Sequence, residues 1–285
     1  MLENTFIHIP GVGEKTEMRL WKSGILTWQD FAGAKPDAPE MTPSLHARMK
    51  DEIAASQKAL EKSDHAYFSA CVPTDATWRC LPCFKGRVGY LDIETTGLSH
   101  AVSKVTVVGL FDGKKVHSYV LGQNMDEFFS DLKNYSMLVT FNGNMFDIPF
   151  LKHYFKTLKI DQVHMDLRPV LRTLGITGGL KKIEQAFNFA RPTDLQGMNG
   201  WDAVKLWQRW EHRQDSVALD KLVRYNAEDV VHLQALAAWA YEKKRQEAFS
   251  RIVLEKDAKQ KTIPETEKPA VQGEQSIENK SVAIY

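Results

Sequence analysis

The central part of the chain, residues 85–245, alternates short apolar runs with stretches of helical spacing, and this order constrains the fold most. The apolar runs predict strands at residues 88–93, 104–110, 115–120, 137–141 and 163–165. An Asp112-Gly113 turn between the second and third runs predicts a hairpin. Helical stretches separate the later runs and dominate after residue 167. Such an order predicts an α/β fold with a mixed sheet flanked by helices.

The sequence on either side of this region differs from it in composition and in hydrophobic pattern. Residues 1–35 indicate a small helical module, and residues 36–84 a helical linker that precedes the α/β domain of residues 85–248. Residues 249–285 are interpreted as the end of the last helix and a polar tail of mixed charge. The tail has no aromatic residue between Asp257 and Tyr285 and too few apolar groups to offset the entropy of ordering, so we expect it to be disordered.

The charge balance excludes one class of protein. The chain has 37 Lys and Arg against 36 Asp and Glu, a formal net charge of +1. A histone-like polycation, which binds nucleic acid through bulk charge, is therefore excluded, whereas a local basic groove is not.

The solubility and cellular location of the protein are predicted from features that the sequence lacks. The N-terminal residues have no basic segment followed by an apolar one, and no run approaches 18 apolar residues. Three cysteines are too few for a secreted disulfide framework. We expect a soluble, cytoplasmic protein with no membrane partner.

Two carboxylates stand directly after the first apolar run. Asp92 and Glu94 are two residues apart, and on a strand such residues face the same side. Two like charges on one face repel each other unless a cation lies between them, and oxygen-rich sites suit Mg²⁺ or Mn²⁺. The alternative is a surface strand end with two solvated acids.

Two later segments add further acidic positions. Asp147 follows the run at 137–141 after a turn with Asn142 and Gly143, and ligand sites gather at the carboxyl ends of strands. The alternative is an ordinary turn and helix start. Tyr225 and Asp229 are four apart on a predicted helix and share one face. Here the alternative is a half-buried tyrosine with an exposed acid.

Taken in order, these segments resemble a known group of enzymes. An Asp-x-Glu strand end, an Asn-x-x-x-Phe-Asp element and a helical Tyr-x-x-x-Asp are similar to the motifs of the proofreading-type 3′→5′ exonucleases with four acidic ligands. The tyrosine resembles the branch that includes the exonuclease domain of family B DNA polymerases. The layout of residues 85–245 resembles the YprB-like proteins. The resemblance implies a ribonuclease H-like fold and hydrolysis of phosphodiester bonds.

The resemblance also implies roles for individual residues. Asp92, Glu94, Asp147 and Asp229 would bind two divalent ions, Mg²⁺ or Mn²⁺, and Tyr225 would orient and help deprotonate the attacking water. Two such ions activate a water and stabilise both oxygens of an in-line displacement. We place substrate contacts at Thr95, Gly97, Leu98, Asn142 and Phe146.

An N-terminal segment, IPGVGEKT, looks like the loop of a helix-hairpin-helix DNA-binding motif. Such a loop exposes backbone N–H groups that suit a phosphate, and we predict nucleic-acid contacts at Gly11, Gly13 and Lys15. Because few residues precede the loop, the leading helix of the motif is missing or very short. A purely structural helical cap is the alternative.

Lys181 and Lys182 open a predicted helix after two glycines. They are predicted to grip substrate phosphates with help from Arg168 and Arg172, and solvated lysines are the alternative. Nearby, His164 and Asp166 are expected to form structural hydrogen bonds.

The Cys80-Leu81-Pro82-Cys83 sequence invites a zinc interpretation, with Cys71 and His65 as further ligands. It lacks a second Cys or His pair at zinc-finger spacing, so we expect buried or free thiols.

The sequence therefore favours a metal-dependent 3′→5′ exonuclease whose nucleic-acid partner is DNA rather than RNA. One alternative is a structure-selective endonuclease on the same core, and the other is a non-catalytic nucleic-acid-binding or adaptor protein. The C-terminal tail offers a place for a protein partner.

Overall fold

The computed structural model describes residues 1–33 and 41–260, with side chains as far as residue 250. Within these residues a five-stranded sheet has the order β3-β2-β1-β4-β5. The strands are β1 (Val88–Thr95), β2 (Val105–Phe111), β3 (Val116–Val120), β4 (Met137–Thr140) and β5 (Val163–Asp166). The β1–β2 and β2–β3 pairs are antiparallel, and the β1–β4 and β4–β5 pairs are parallel. The prediction of an α/β fold with a mixed sheet is confirmed.

Helices cover the sheet, and four of them precede its first strand in the sequence. They are α1 (Glu14–Lys22), α2 (Trp28–Gly33), α3 (Pro43–Glu61), α4 (His65–Cys71), α5 (Glu127–Asp131), α6 (Asp147–Tyr154), α7 (Leu167–Thr173), α8 (Leu180–Ala186), α9 (Gly200–Arg213) and α10 (Ser216–Gln260). Short 3₁₀ helices occur at Leu2–Asn4, Thr74–Cys80, Leu132–Asn134 and Thr193–Leu195. The part of the predicted disordered tail that follows residue 260 lies outside the described residues.

The central strand β1 is buried along almost its whole length, and its two faces pack against different elements. Leu91 and Ile93 belong to the hydrophobic cluster that includes α5 and α6, whereas Tyr90 belongs to the cluster that includes α10. Because side chains alternate along a strand, Asp92 and Glu94 share the face of Tyr90. The chain thus directs both carboxylates toward α10.

The long helix α10 crosses this face of the sheet. Its sequence contains neither glycine nor proline, so nothing in it breaks the backbone hydrogen bonding. Leu222, Val230 and Leu233 of this helix are fully buried. The same helix therefore holds Tyr225 and Asp229 against the sheet.

The N-terminal helices share a hydrophobic cluster with the sheet. Phe6, Trp28 and Met49 join Met137 of β4 and Leu233 of α10 in this cluster. No helix in the described residues combines the length and apolar character needed to cross a bilayer.

A buried ion pair also joins the N-terminal helices to the segment before β1. Arg79 Nη1 donates to Glu17 Oε1 over 2.8 Å, and the backbone N–H of Phe6 donates to the same oxygen over 2.7 Å. Removal of one member of such a buried pair typically costs about 3–5 kcal/mol. The pair therefore fixes α1 relative to the rest of the molecule.

Candidate active site

Three carboxylates meet between β1 and α10. Asp92 and Glu94 come from β1 and Asp229 from α10, and their carboxylate oxygens lie within 4.8 Å of one another. Glu94 and Asp229 are 8% and 5% exposed and Asp92 is half-buried, so water has little access to this acidic cluster. Among the described residues, no other group of three or more His, Cys, Asp or Glu has this ligand geometry.

The fourth predicted acid, Asp147, begins α6 and is 2% exposed. Its Oδ1 accepts a hydrogen bond from the backbone N–H of Ile93 over 3.1 Å, between the two acids of β1. Burial, with Asp166 and Asp229 nearby, raises the pKa of Asp147 to about 7. The structure therefore brings all four predicted acids to one end of β1.

The shared environment makes ionisation of these acids unfavourable. Burial and the charge of Asp229 raise the pKa of Asp92 and of Glu94 well above the usual range. Burial also raises the pKa of Asp229, and Lys181 and Arg191 oppose that rise. Buried like charges are stable only beside positive charge, and an all-oxygen set of ligands suits a hard divalent cation. These residues fit Mg²⁺ or Mn²⁺.

Tyr225 lies one helical turn before Asp229 and is 2% exposed. Lys181 Nζ hydrogen bonds to its hydroxyl and lies 4.2 Å from the centre of its ring. Burial and the carboxylates of Asp229 and Glu94 raise the pKa of Tyr225 above its usual value. The phenol therefore keeps its proton at neutral pH.

Arg191 supplies a second cation that the sequence analysis missed. Its guanidinium forms an ion pair with Asp229 and two hydrogen bonds of 2.8 and 2.6 Å to Glu184. Glu184 also bonds to Nδ1 of His232 over 2.9 Å. Although burial alone lowers the pKa of Arg191, its bonds to Glu184 and Asp229 raise it above the usual value. The network holds a permanent positive charge against Asp229.

Asn226 fixes Asp92 from the neighbouring position on α10. Its Nδ2 donates to Asp92 Oδ2 over 2.9 Å and to the backbone oxygen of Asp92 over 3.3 Å. Gly109 stands opposite Asp92 on β2, and a Cβ there would lie 2.1 Å from Asn226 Oδ1. A glycine inside a strand marks such a close approach, so the sequence contained a signal for this contact.

The turn before α6 positions Asp147. Asn142 has a φ of 67°, and its backbone N–H donates to Asp166 Oδ1 over 2.7 Å. Arg168 Nη1 donates to the Asn142 side-chain oxygen over 2.7 Å. A Cβ at Gly143 would lie 2.1 Å from Thr140 Oγ1. The tight turn thus depends on glycine, and Asp166 has the structural role predicted for it.

The other predicted substrate contacts lie on the loops at the ends of β1 and β4. Thr95 Oγ1 donates to the backbone oxygen of Gly97 over 2.6 Å, and the side chain of Leu98 is exposed. Phe146 is half-buried, with its ring centre 4.7 Å from that of Phe150. Their contact with substrate stays a prediction.

The remaining predicted basic and glycine residues lie outside the acidic cluster. Lys182 is exposed and lies over Gly178, whereas Lys181 contacts Tyr225. Within the described part of the chain, the N-terminal loop residues form no hydrogen bond or ion pair with the acidic cluster. These loop residues are Gly11, Gly13 and Lys15.

The N-terminal loop is covered on one side by α3. Arg48 Nη1 donates to the backbone oxygen of Pro10 over 3.2 Å. Gly11 has a φ of 89°, and Gly13 precedes the first residue of α1. Before the loop, Leu2–Asn4 forms a 3₁₀ helix of one short turn.

The three cysteines are free thiols. Cys80 is fully buried, and burial raises the pKa of the Cys71 thiol to about 11.

Part of this chain is similar to known proteins. A family model described as the RNase H superfamily matches residues 89–241. Comparison with curated proteins gives no match.

Several solved structures share part of the fold. The family B DNA polymerase of the hyperthermophilic archaeon Pyrobaculum calidifontis is 14% identical with a TM-score of 0.43, over 55% of this chain and 24% of that one. The chain therefore spans about a quarter of the length of the polymerase. Brucella melitensis NrnC is 20% identical with a TM-score of 0.41, over 60% of this chain and 81% of that one. Structures of that protein with Mg²⁺ and with pGG give the same TM-score.

Proposed function

The chain belongs to the RNase H superfamily, and from that premise we propose that it is a metal-dependent 3′→5′ exonuclease of nucleic acid. We assign it to the tyrosine branch of the exonucleases with four acidic ligands, with a YprB-like layout. The observation that carries this proposal is the acidic cluster of Asp92, Glu94 and Asp229, with carboxylate oxygens within 4.8 Å of one another. Asp147 and Tyr225 border the same cluster, on α6 and α10.

In this proposal the four acids hold two divalent ions, Mg²⁺ or Mn²⁺. When bound, such ions supply the positive charge that activates a water and stabilises the oxygens of an in-line displacement at phosphorus. Burial of the acids strengthens their interaction with a cation, because the local dielectric constant is low.

Tyr225 orients the attacking water in this proposal. Its hydroxyl does so by hydrogen bonding to the water, beside the carboxylate of Asp229 one helical turn away on α10. Lys181 Nζ holds that hydroxyl in place. Arg191, fixed by Glu184, holds the side chain of Asp229 through an ion pair.

The sugar preference rests on the N-terminal segment. Because its loop resembles a helix-hairpin-helix motif, we propose DNA rather than RNA as the substrate. Near-neutral overall charge favours a locally organised binding surface over bulk attraction.

The test uses 5′-labelled single-stranded DNA and RNA with Mg²⁺, Mn²⁺ or a chelator. We expect a metal-dependent ladder that shortens from the 3′ end. The Asp92→Asn variant should lose this activity, and the exposed-surface variant Asp51→Asn should keep it.

The alternatives give different results in the same assay. Internal cleavage of strands with blocked 3′ ends would identify an endonuclease. If the folded wild-type protein cleaves neither strand with either metal, the exonuclease proposal is wrong and a nucleic-acid-binding or adaptor role replaces it.

A further inference from the structure

A groove with a volume of about 1260 Å³ runs along the border between α1 and the helices α7 and α10. Sites for a single small molecule usually have volumes of about 300–1,000 Å³. The groove is also open along one side rather than closed over. Its size and shape therefore suit an extended ligand.

Basic side chains line both walls of this groove. Lys15, Arg19 and Lys22 are spaced by four and three residues on α1, so they share one face of that helix. Arg172 of α7 and Lys244 of α10 line the other wall. The acidic residues on the border are Glu14, Asp75 and Glu247. Positive charges thus outnumber negative ones, although the whole chain is nearly neutral.

Several of these cations form no ion pair with another described residue. Among the described residues no salt bridge is formed by Lys15, Arg172 or Lys244, and Lys244 Nζ donates to Thr173 Oγ1 over 3.4 Å instead. Arg19 Nη2 donates to Thr16 Oγ1 over 3.3 Å, another neutral partner. Cations on facing walls repel each other, and an anion between them relieves that repulsion.

The buried acid and base of the groove cancel each other. Glu17 and Arg79, at its floor, form the ion pair that fixes α1. The excess positive charge therefore belongs to the exposed walls, where a ligand meets it.

The groove reaches the loop that leads into the active site. Asn144 lines the groove and stands three residues before Asp147. The backbone N–H of Asn144 donates to Asp166 Oδ2 over 3.1 Å, and Asp166 also accepts from the N–H of Arg168, at the start of α7. One hydrogen-bonded turn therefore joins the groove wall to the segment that positions Asp147.

We propose that this groove binds the phosphodiester backbone of the single nucleic-acid strand whose end enters the active site. The inference rests on the proposed function and extends it, since it names the surface that holds the strand away from the acidic cluster. Positively charged grooves that follow a backbone are the usual means of binding single strands without sequence preference. Arginine suits this task because its planar fork donates two parallel hydrogen bonds to a phosphate.

The test measures binding without hydrolysis. Fluorescence anisotropy with a 20-nucleotide single strand, DNA in one arm and RNA in the other, is recorded in the presence of a chelator. The double variant Arg172→Glu, Lys244→Glu should weaken binding by roughly 10- to 100-fold. Its log–log salt dependence should also be shallower by about 1.4, because each phosphate contact to a single strand contributes about 0.7.

A matched control separates the groove from overall charge. The double variant Arg213→Glu, Lys243→Glu has the same change in net charge, and both of its positions are exposed on α9 and α10 outside the groove. It should weaken binding by less than about threefold. Circular dichroism checks that both variants are folded.

A second measurement works on the unaltered protein. Chemical acetylation of lysines with and without the 20-nucleotide strand should show protection of Lys15 and Lys244 and no protection of Lys243. An acidic peptide of equal charge should protect neither of the first two.

The outcomes separate this inference from the proposed function. Equal loss of affinity in both double variants, lack of protection at Lys15 and Lys244, or equal protection by the acidic peptide would overturn the groove assignment. A protein that binds the strand through the groove but hydrolyses nothing with Mg²⁺ or Mn²⁺ would keep this inference and refute the exonuclease proposal.

Discussion

The acidic cluster and the basic groove handle charge in opposite ways. The cluster concentrates four carboxylates that are mostly buried, at one end of β1. The groove spreads exposed and half-buried cations over α1, α7 and α10. Buried charges interact strongly and depend on exact neighbours, whereas exposed charges are screened by salt and act additively.

Because of this contrast, catalysis and affinity for the strand can depend on separate parts of one small protein. Loss of a single buried carboxylate should remove a reaction, because no neighbour can replace it. Loss of a single groove cation should weaken binding by a small, salt-dependent amount. The predictions that follow test whether the two regions are separable in this sense.

The largest effect is expected for Asp229→Asn. Asp229 is both a member of the acidic cluster and the partner of Arg191, so we expect hydrolysis to fall by about 10³-fold or more. Affinity for a long strand, measured with a chelator, should change by less than about threefold. Steady-state kinetics and anisotropy give the two numbers, with Asp220→Asn on the exposed side of α10 as the control. An equal fall in affinity and rate would break the separation.

A smaller effect is expected for Gly109→Ala, which tests how Asp92 is held. The new Cβ would lie 2.1 Å from Asn226 Oδ1 and so displace the amide that bonds to Asp92. Overpacking of this kind costs about 1–3 kcal/mol of unfolding free energy, and hydrolysis should fall as well. Urea unfolding measures the first effect. Gly200→Ala, where a Cβ meets no atom within 4 Å, is the control.

A second substitution sharpens this result. Asn226→Ser added to Gly109→Ala removes the clashing oxygen and should recover part of the stability without recovering hydrolysis. Recovery of both would show that the amide bond to Asp92 has no role in the reaction.

The third prediction concerns pH in the metal-free protein. The pKa of Asp147 is about 7 in the folded state against an ordinary 3.8, so its stabilising contribution is complete below pH 4 and lost as pH rises through 7. The Asp147→Asn variant should therefore match the wild type near pH 4 and exceed its unfolding free energy above pH 7 by roughly 1–3 kcal/mol. At saturating Mg²⁺ the wild type should instead have the larger unfolding free energy above pH 7.

Two histidines contribute to stability with the opposite pH dependence, and their contribution has to be separated from that of Asp147. Burial lowers the pKa of His8 and of His164 to about 4, so their contribution is present above pH 6.5 and lost as pH falls through 4. Both histidines remain in the Asp147→Asn variant, so the difference between variant and wild type isolates the acid. A difference that does not depend on pH would contradict the buried state of Asp147.

The smallest effect is expected for Arg172→Gln in the groove. Removal of one phosphate contact should weaken strand binding by about three- to fivefold and reduce the salt slope by about 0.7. Arg213→Gln is the control, and anisotropy at several salt concentrations is the measurement. A loss as large as that of the charge-reversed double variant would mean that one residue dominates, contrary to additive exposed charges.

The sheet and most of its helices could be predicted because their patterns are local. The strands at 105–111 and 116–120 follow from apolar runs around a Gly turn, and the acids Asp92 and Glu94 from their spacing of two. Each of these signals lies within a few residues of sequence.

The contacts that complete the site could not be predicted in the same way. Arg191 meets Asp229 across 38 residues of sequence, and Asn226 meets Asp92 across 134. Arg191 stands outside any helix, between α8 and the 3₁₀ helix Thr193–Leu195. No local pattern records such partners, since the packing of α10 against the sheet and the contacts between α8 and α10 create them. The groove has the same origin, because its walls come from helices that are distant in the sequence.

The continuous helix α10 determines how long a strand must be to contact both the acidic cluster and the groove. Asp229 and Lys244 stand fifteen residues apart on this one helix, which at about 1.5 Å per residue places them about 22 Å apart along its axis. In a stacked strand each nucleotide advances about 3.4 Å along the axis, as in duplex DNA, so an oligonucleotide in that conformation needs roughly six nucleotides to engage both positions. A strand trimmed below that length loses its hold on the groove, so short fragments should accumulate as the end product of a limit digest.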